Sequence, residues 1–156
     1  MHETRAIVKI LGLLPLLFGF AAEAQQVRPC FEGQNIPYQV SAAVVAEPWE
    51  ANTRSFADGD IRIVVMDTYE PALGAYYLMV LFWGNEDFRE CRLVSHAEVG
   101  FVGMTLDGMT SAYDATRGLV LRVPTDFYNP AEGMKESGSL EVVINRQTAE
   151  VSAARR

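Results

Sequence analysis

Histidine is almost absent from this chain: His2 and His96 are the only two in 156 residues. Beyond the N-terminal segment only His96 remains, in Ser95-His96-Ala97-Glu98. A zinc site built from several histidines of one chain is therefore excluded. A nucleophile–His–acid triad would have a single base to draw on, and the Gly-x-Ser-x-Gly nucleophile elbow does not occur. His96 reads as an ordinary surface residue in a loop or at a strand end. Phosphate loops and dinucleotide fingerprints are missing as well. Gly100 and Gly103 sit in a strand pattern with no helix after them, which points to a bulge or a close approach of backbones.

Basic charge is also scarce. The chain has 13 Lys and Arg against 20 Asp and Glu, a net charge of −7. Loss of residues 1–24 would take Arg5 and Lys9 with Glu3 and Glu23, so the net stays at −7. Lys135 is then the one lysine, and Arg155-Arg156 the one basic cluster, which reads as a frayed tail. Nucleic acid and anionic lipid are bound by neutralising phosphates with Lys and Arg. The expectation is no nucleic-acid partner.

Long apolar runs are limited at the N-terminus. His2, Arg5 and Lys9 give a cationic start, and Ile10 to Ala22 is uncharged. That stretch is shorter than the roughly 20 residues a spanning helix needs, and Pro15 interrupts it. Ala22-Glu23-Ala24 places small residues at the spacing of a cleavage site. The reading is a cleavable signal peptide over residues 1–24, followed by one domain over residues 25–156. The expected compartment is the periplasm or the cell exterior, with no stable membrane anchor after cleavage.

Two cysteines, Cys30 and Cys91, remain. In an exported chain an even count reads as a disulfide. It would close a loop of about 60 residues, and loop-closure entropy puts its contribution at roughly 4 kcal/mol.

What the chain does have is short β-type runs between turn residues. Ile36 to Ala46, Ile61 to Met66, Tyr76 to Trp83, Cys91 to Ser95, Val99 to Leu106, Met109 to Tyr113, Leu119 to Val123, Leu140 to Asn145 and Thr148 to Ala153 all read as strands. Asp107-Gly108 reads as a tight hairpin turn, Arg117-Gly118 as another turn, and Pro124 to Ser139 as a loop. Glu47 to Asp58 reads as a loop or one short helix with Trp49 and Phe56 as anchors. The expected fold is all-β, or β-rich α+β: an antiparallel sandwich or small barrel of about seven to nine short strands.

Tyr76 to Trp83 is apolar on both faces, whereas a half-solvated strand alternates. Either a central strand is covered on both sides, with Glu47 to Asp58 as the cover, or Tyr77, Met79 and Trp83 form an exposed interaction surface. Carboxylate pairs that could serve a hydrolase are Asp58 with Asp60, Glu86 with Asp87, and Asp67 with Glu70. Each lies at a predicted turn, where Asp commonly bonds local backbone. Asp58-Gly59-Asp60 lacks the spacing and terminal Glu of a calcium loop. Tyr113-Asp114 and Tyr128-Asn129-Pro130 put aromatic and polar groups where a pocket could form.

No catalytic residue, metal or cofactor is expected. The leading expectation is a non-catalytic exported module that binds a protein or an envelope component, such as an enzyme inhibitor or assembly factor. The alternatives are a carrier holding an apolar ligand inside a β-barrel, with Tyr76, Leu78 and Val80 or their opposite face as lining, and a carboxylate-dependent hydrolase.

Overall fold

The computed structural model describes residues 25–32, 37–70, 74–84, 88–97 and 99–156. The proposed signal peptide, Ile36 and the Glu86–Asp87 pair lie outside these residues. Ten strands are present among the described residues: β1 Gln26–Pro29, β2 Thr53–Phe56, β3 Ile61–Asp67, β4 Tyr76–Trp83, β5 Arg89–Ser95, β6 Gly103–Met104, β7 Thr110–Asp114, β8 Gly118–Asn129, β9 Met134–Asn145 and β10 Glu150–Arg155. They form two antiparallel sheets. The first runs β1-β5-β4-β3-β2; the second runs β10-β9-β8-β6, with β7 also on β8.

The sheets meet as a sandwich because every second residue of the central strands is apolar. Ile61, Ile63 and Val65 of β3, Leu78, Val80 and Phe82 of β4, and Val94 of β5 face the second sheet. Leu119, Leu121, Val123 and Phe127 of β8 and Leu140, Val142 and Ile144 of β9 face back. Period-two patterning puts such sets on one side of each strand. Leu78 and Val80 are fully buried in this packing, so the face expected to line a barrel cavity fills the sandwich core instead.

The first sheet is covered on its outer side too. Val64, Met66, Tyr77 and Leu93 pack with Cys30 and Val44, and Met79 and Cys91 lie against them. The cover is residues 38–45 rather than Glu47 to Asp58. Its two 3-10 turns, Tyr38–Val40 and Ala42–Val44, replace the strand expected over Ile36 to Ala46. Docking is fixed by a bridge between Val45 and Met66 and by the Ala46 N–H donating to the Val65 carbonyl at 2.9 Å. Cys30 and Cys91 are bonded beside this cluster, with Cα atoms 5.3 Å apart. Glu47 to Asp58 supplies a turn and the edge strand β2. Trp49 is exposed there and belongs to neither apolar cluster, while Phe56 packs on the main core.

Residues 124–139, expected as a loop, are mostly strand. β8 and β9 form one long hairpin, with Pro124 opposite Ser139. Proline is tolerated because this is a non-hydrogen-bonded pair. Ser139 spends its backbone on Arg156, donating at 3.2 Å and accepting at 2.8 Å. The missing N–H of Pro124 falls on the opposite edge of β8, and that edge is broken there. Met104 pairs with Thr125 and Thr110 pairs with Arg122, so residues 105–109 loop out opposite Val123 and Pro124. Asp107-Gly108 consequently turns within this bulge and makes no hairpin: β6 and β7 both pair with β8, not with each other. The segment before β6 changes sheets. Phe101 exchanges backbone bonds with Tyr76 at 2.7 and 3.1 Å, and a Cβ on Gly100 would meet the Gly74 and Tyr76 carbonyls.

Candidate functional site

The two sheets do not end together. β7 extends the second sheet past Phe56, the last residue of β2 at the edge of the first. Ser111 and Tyr113 of β7 pair with Leu121 and Leu119, and directly paired residues point to the same face. Both therefore look toward the interior, yet β7 is exposed along its whole length and Tyr113 is 76% exposed. A core-facing tyrosine in that state has no opposite sheet to pack on. The space under it is a cleft of about 830 Å³, with Phe56, Ala57 and Ile61 on the first sheet and Ser111, Tyr113 and Leu119 on the second. That volume is within the range of sites that hold small molecules or side chains of a partner.

Local chemistry holds the cleft open. The β7–β8 turn is pinned by Asp114, whose Oδ1 accepts the N–H groups of Thr116 and Arg117, both at 2.8 Å. Those bonds, that of Arg117 first, hold the Asp114 carboxyl below its usual range. Gly118 closes the turn at φ +94°, and any Cβ there would strike the Ile144 carbonyl. At the mouth, Arg146 ties the sheets together. Its Nε donates to the Trp83 carbonyl at 2.9 Å and its Nη2 meets Asp60 Oδ2 at 3.0 Å. On β2, Arg54 Nη1 donates to the carbonyls of Glu50, Ala51 and Thr53 at 3.1, 3.2 and 2.8 Å. This shields part of that edge, as charged side chains commonly do.

The interaction surface expected on β4 is divided by the fold. Tyr77 is 5% exposed, beneath residues 38–45, and Met79 is half-buried beside it. Trp83 lies beyond the cover, half-buried, with the Arg89 guanidinium 5.1 Å from its ring centre. The three side chains therefore do not form one open stripe.

Of the four described candidate carboxylates, two hold structural partners and two are exposed at turns or loops. Asp58 is an exposed turn residue at φ +54° and Asp60 is paired with Arg146. Asp67 Oδ1 accepts the Tyr69 N–H at 2.8 Å, and Glu70 is exposed. Burial first, then the Asp67 charge and hydrogen bond, raises the Tyr76 phenol above its ordinary pKa. His96 is at a strand end, as expected, but it is buried. Its Nδ1 is 3.2 Å from Gln25 Oε1, and its ring meets Phe127 edge-on at 5.8 Å. The Ser95 hydroxyl donates to the Ala97 carbonyl at 2.9 Å. Among the described residues, no group of three His, Cys, Asp or Glu is placed to hold a metal ion.

No protein family, curated protein or solved structure matches the chain. Its geometry is the guide to its role.

Sequence reasoning placed Tyr113 beside a potential pocket but did not find the cleft, which arises from the unequal extents of two sheets. A second arrangement was missed altogether. Glu141 of β9 is buried on the outer face of the second sheet and is met by three arginines, Arg117, Arg122 and Arg156. Arg155 and Arg156 are not a frayed tail: the first belongs to β10 and pairs with Glu136, and the second bonds Ser139 and Glu141. Alternation in Leu140 to Ile144 signals one outward residue at Glu141, but nothing local marks its partners.

Proposed function

We propose that this protein is a non-catalytic binding module, exported to the periplasm or the cell exterior, and that the cleft under β7 receives an extended apolar segment of a protein partner. The carrying observation is Tyr113: a core-facing aromatic, 76% exposed, above a cleft of about 830 Å³. Among the described residues β7 is paired on one edge only. An added strand would satisfy that free edge with main-chain hydrogen bonds and place alternate side chains against Phe56, Ile61 and Tyr113. The disulfide suits an oxidising compartment, and a net charge of −7 favours a basic partner.

A photo-crosslinking residue at Ser111 tests this, with one at Glu150 on β10 as the control. The expected result in envelope extract is a discrete protein adduct from position 111, absent from position 150 and suppressed when Tyr113→Asp puts a charge into the cleft. Adducts that match between the two positions would refute the reading. A small apolar ligand is the second reading, favoured by the cleft volume and placed here rather than inside a barrel. Native mass spectrometry of protein purified from its host would then find a bound small molecule that Tyr113→Asp displaces.

A further inference from the structure

We propose that the outer face of the second sheet carries an anion-binding site, in which Arg117, Arg122 and Arg156 together receive a phosphate-type oxyanion. This site lies on the opposite side of the sheet from the core and is independent of the cleft.

The site is built on one carboxylate. Glu141 Oε1 accepts from Arg117 Nη2 at 2.8 Å and from Arg156 Nη2 at 2.9 Å. Arg122 reaches Oε2 with Nε and Nη2, both at 3.4 Å. The carboxylate is 5% exposed, whereas the three arginine side chains are 47%, 60% and 56% exposed. Three positive groups thus meet one negative group. The carboxylate is consumed beneath them, and their outer edges face solvent.

A guanidinium carries five N–H donors in a planar fork. Glu141 occupies few of the fifteen or so that three guanidiniums offer. It also fixes the direction of three long side chains that would otherwise lose rotamer freedom on binding. Such preorganisation cuts the cost of capture. Oxyanions of phosphate type match the donor geometry and accept several such bonds at once.

Neighbouring rows do not cancel the charge. Thr110, Arg122, Glu141 and Ala154 lie side by side across β7, β8, β9 and β10. One row away, Ala112, Val120, Val143 and Ser152 are uncharged; on the other side Pro124 and Ser139 lead to Arg156. Asp114 ends β7 on this face and its charge acts on Arg117, so three arginines against Glu141 and Asp114 still leave one positive charge in excess. Asp126 and Glu150 lie four residues along their strands from this row, about 13 Å at strand spacing. Asp126 is itself paired with Lys135 at 2.8 Å. At physiological ionic strength charges that far away are largely screened. An average of −7 therefore misjudges this face: three of the chain's arginines are gathered on it by tertiary structure.

The test follows the arginine Nε–Hε resonances of the purified protein while inorganic phosphate is added, against sodium chloride at matched ionic strength. Saturable shifts at Arg117 and Arg122 with phosphate alone are expected. Affinity should fall about ten- to hundredfold in Arg122→Gln, the loss expected when a charge-assisted bond is removed. Arg122 holds Glu141 at the longest distances, so its loss should leave the fold intact; Arg89→Gln, on the other sheet, should bind as the parent does. Co-sedimentation separates the sources of phosphate. Capture by phosphatidylglycerol vesicles but not phosphatidylcholine vesicles, lost in Arg122→Gln, would identify a lipid headgroup. Phosphate shifts without vesicle capture would identify a soluble phosphate ester. Equal shifts in chloride, or unchanged phosphate affinity in Arg122→Gln, would overturn the proposal.

Discussion

Replacing Glu141 by Gln removes one negative charge and keeps the shape of the side chain. Hydrogen bonds from Arg156 and then Arg117 lower the Glu141 carboxyl from its ordinary 4.5 to about 2. Each pKa unit corresponds to about 1.4 kcal/mol of preference for the charged form, which sets a ceiling of about 3 kcal/mol. The three guanidiniums are half in water, and screening reduces the expected loss at neutral pH to about 1–2 kcal/mol. The sign follows from linkage: a carboxyl with a depressed folded-state pKa stabilises fully above its unfolded pKa, and the contribution is lost as pH falls through the folded value. Urea unfolding of the parent and Glu141→Gln should therefore differ by about 1–2 kcal/mol at pH 7. The gap should begin to close below about pH 4.5 and vanish near pH 2. Asp114, Asp126 and Glu136 also have lowered pKa values, but they titrate in both proteins and cancel in the difference. A gap that is independent of pH would refute the electrostatic account and assign the loss to packing.

The cover over the first sheet makes two further predictions. Because Cys30 and Cys91 are 61 residues apart in sequence and bonded in the fold, Cys30→Ser with Cys91→Ser should cost roughly 4 kcal/mol in urea unfolding, by the loop-closure argument; thiol titration of the unfolded, unreduced parent should find no free thiol. Tyr77→Ala should cost roughly 3–5 kcal/mol, as for other large buried side chains, while half-buried Trp83→Ala should cost clearly less and leave the crosslink from position 111 intact. Equal losses of melting temperature from the two substitutions would contradict the division of β4 into covered and open halves.

Much of the sandwich was legible because its central strands are simple. Ile61 to Met66 and Tyr76 to Trp83 are dense in β-branched and aromatic residues and end at turn residues, and β3 and β4 fall where those runs do. The β9–β10 hairpin was likewise readable from Leu140 to Asn145 and Thr148 to Ala153. Ile36 to Ala46 was not. Its Val and Ala residues suit a strand, but its apolar side chains are used to cap a sheet face, which short 3-10 turns do as well. Pro124 misled for a related reason. Proline normally argues against a strand, yet here its missing N–H falls at a gap in the neighbouring edge, a fact that depends on β6 and β7. The candidate surface on β4 could not be judged either, since Tyr77 and Trp83 are six residues apart on one face and differ only in what lies above them.

Sequence alone determined the elements that rest on local physics: the two-sided apolar strands, the turns at Asp58-Gly59 and Arg117-Gly118, an all-β class, and a pair of cysteines available to each other. Tertiary structure alone decided how far each sheet extends, and therefore that Tyr113 faces an open cleft. It also decided that Arg117, Arg122 and Arg156 share Glu141. Both outcomes join residues far apart in the chain, and strand register and sheet order, which bring them together, are set by the packing of the whole sandwich rather than by any single run of residues.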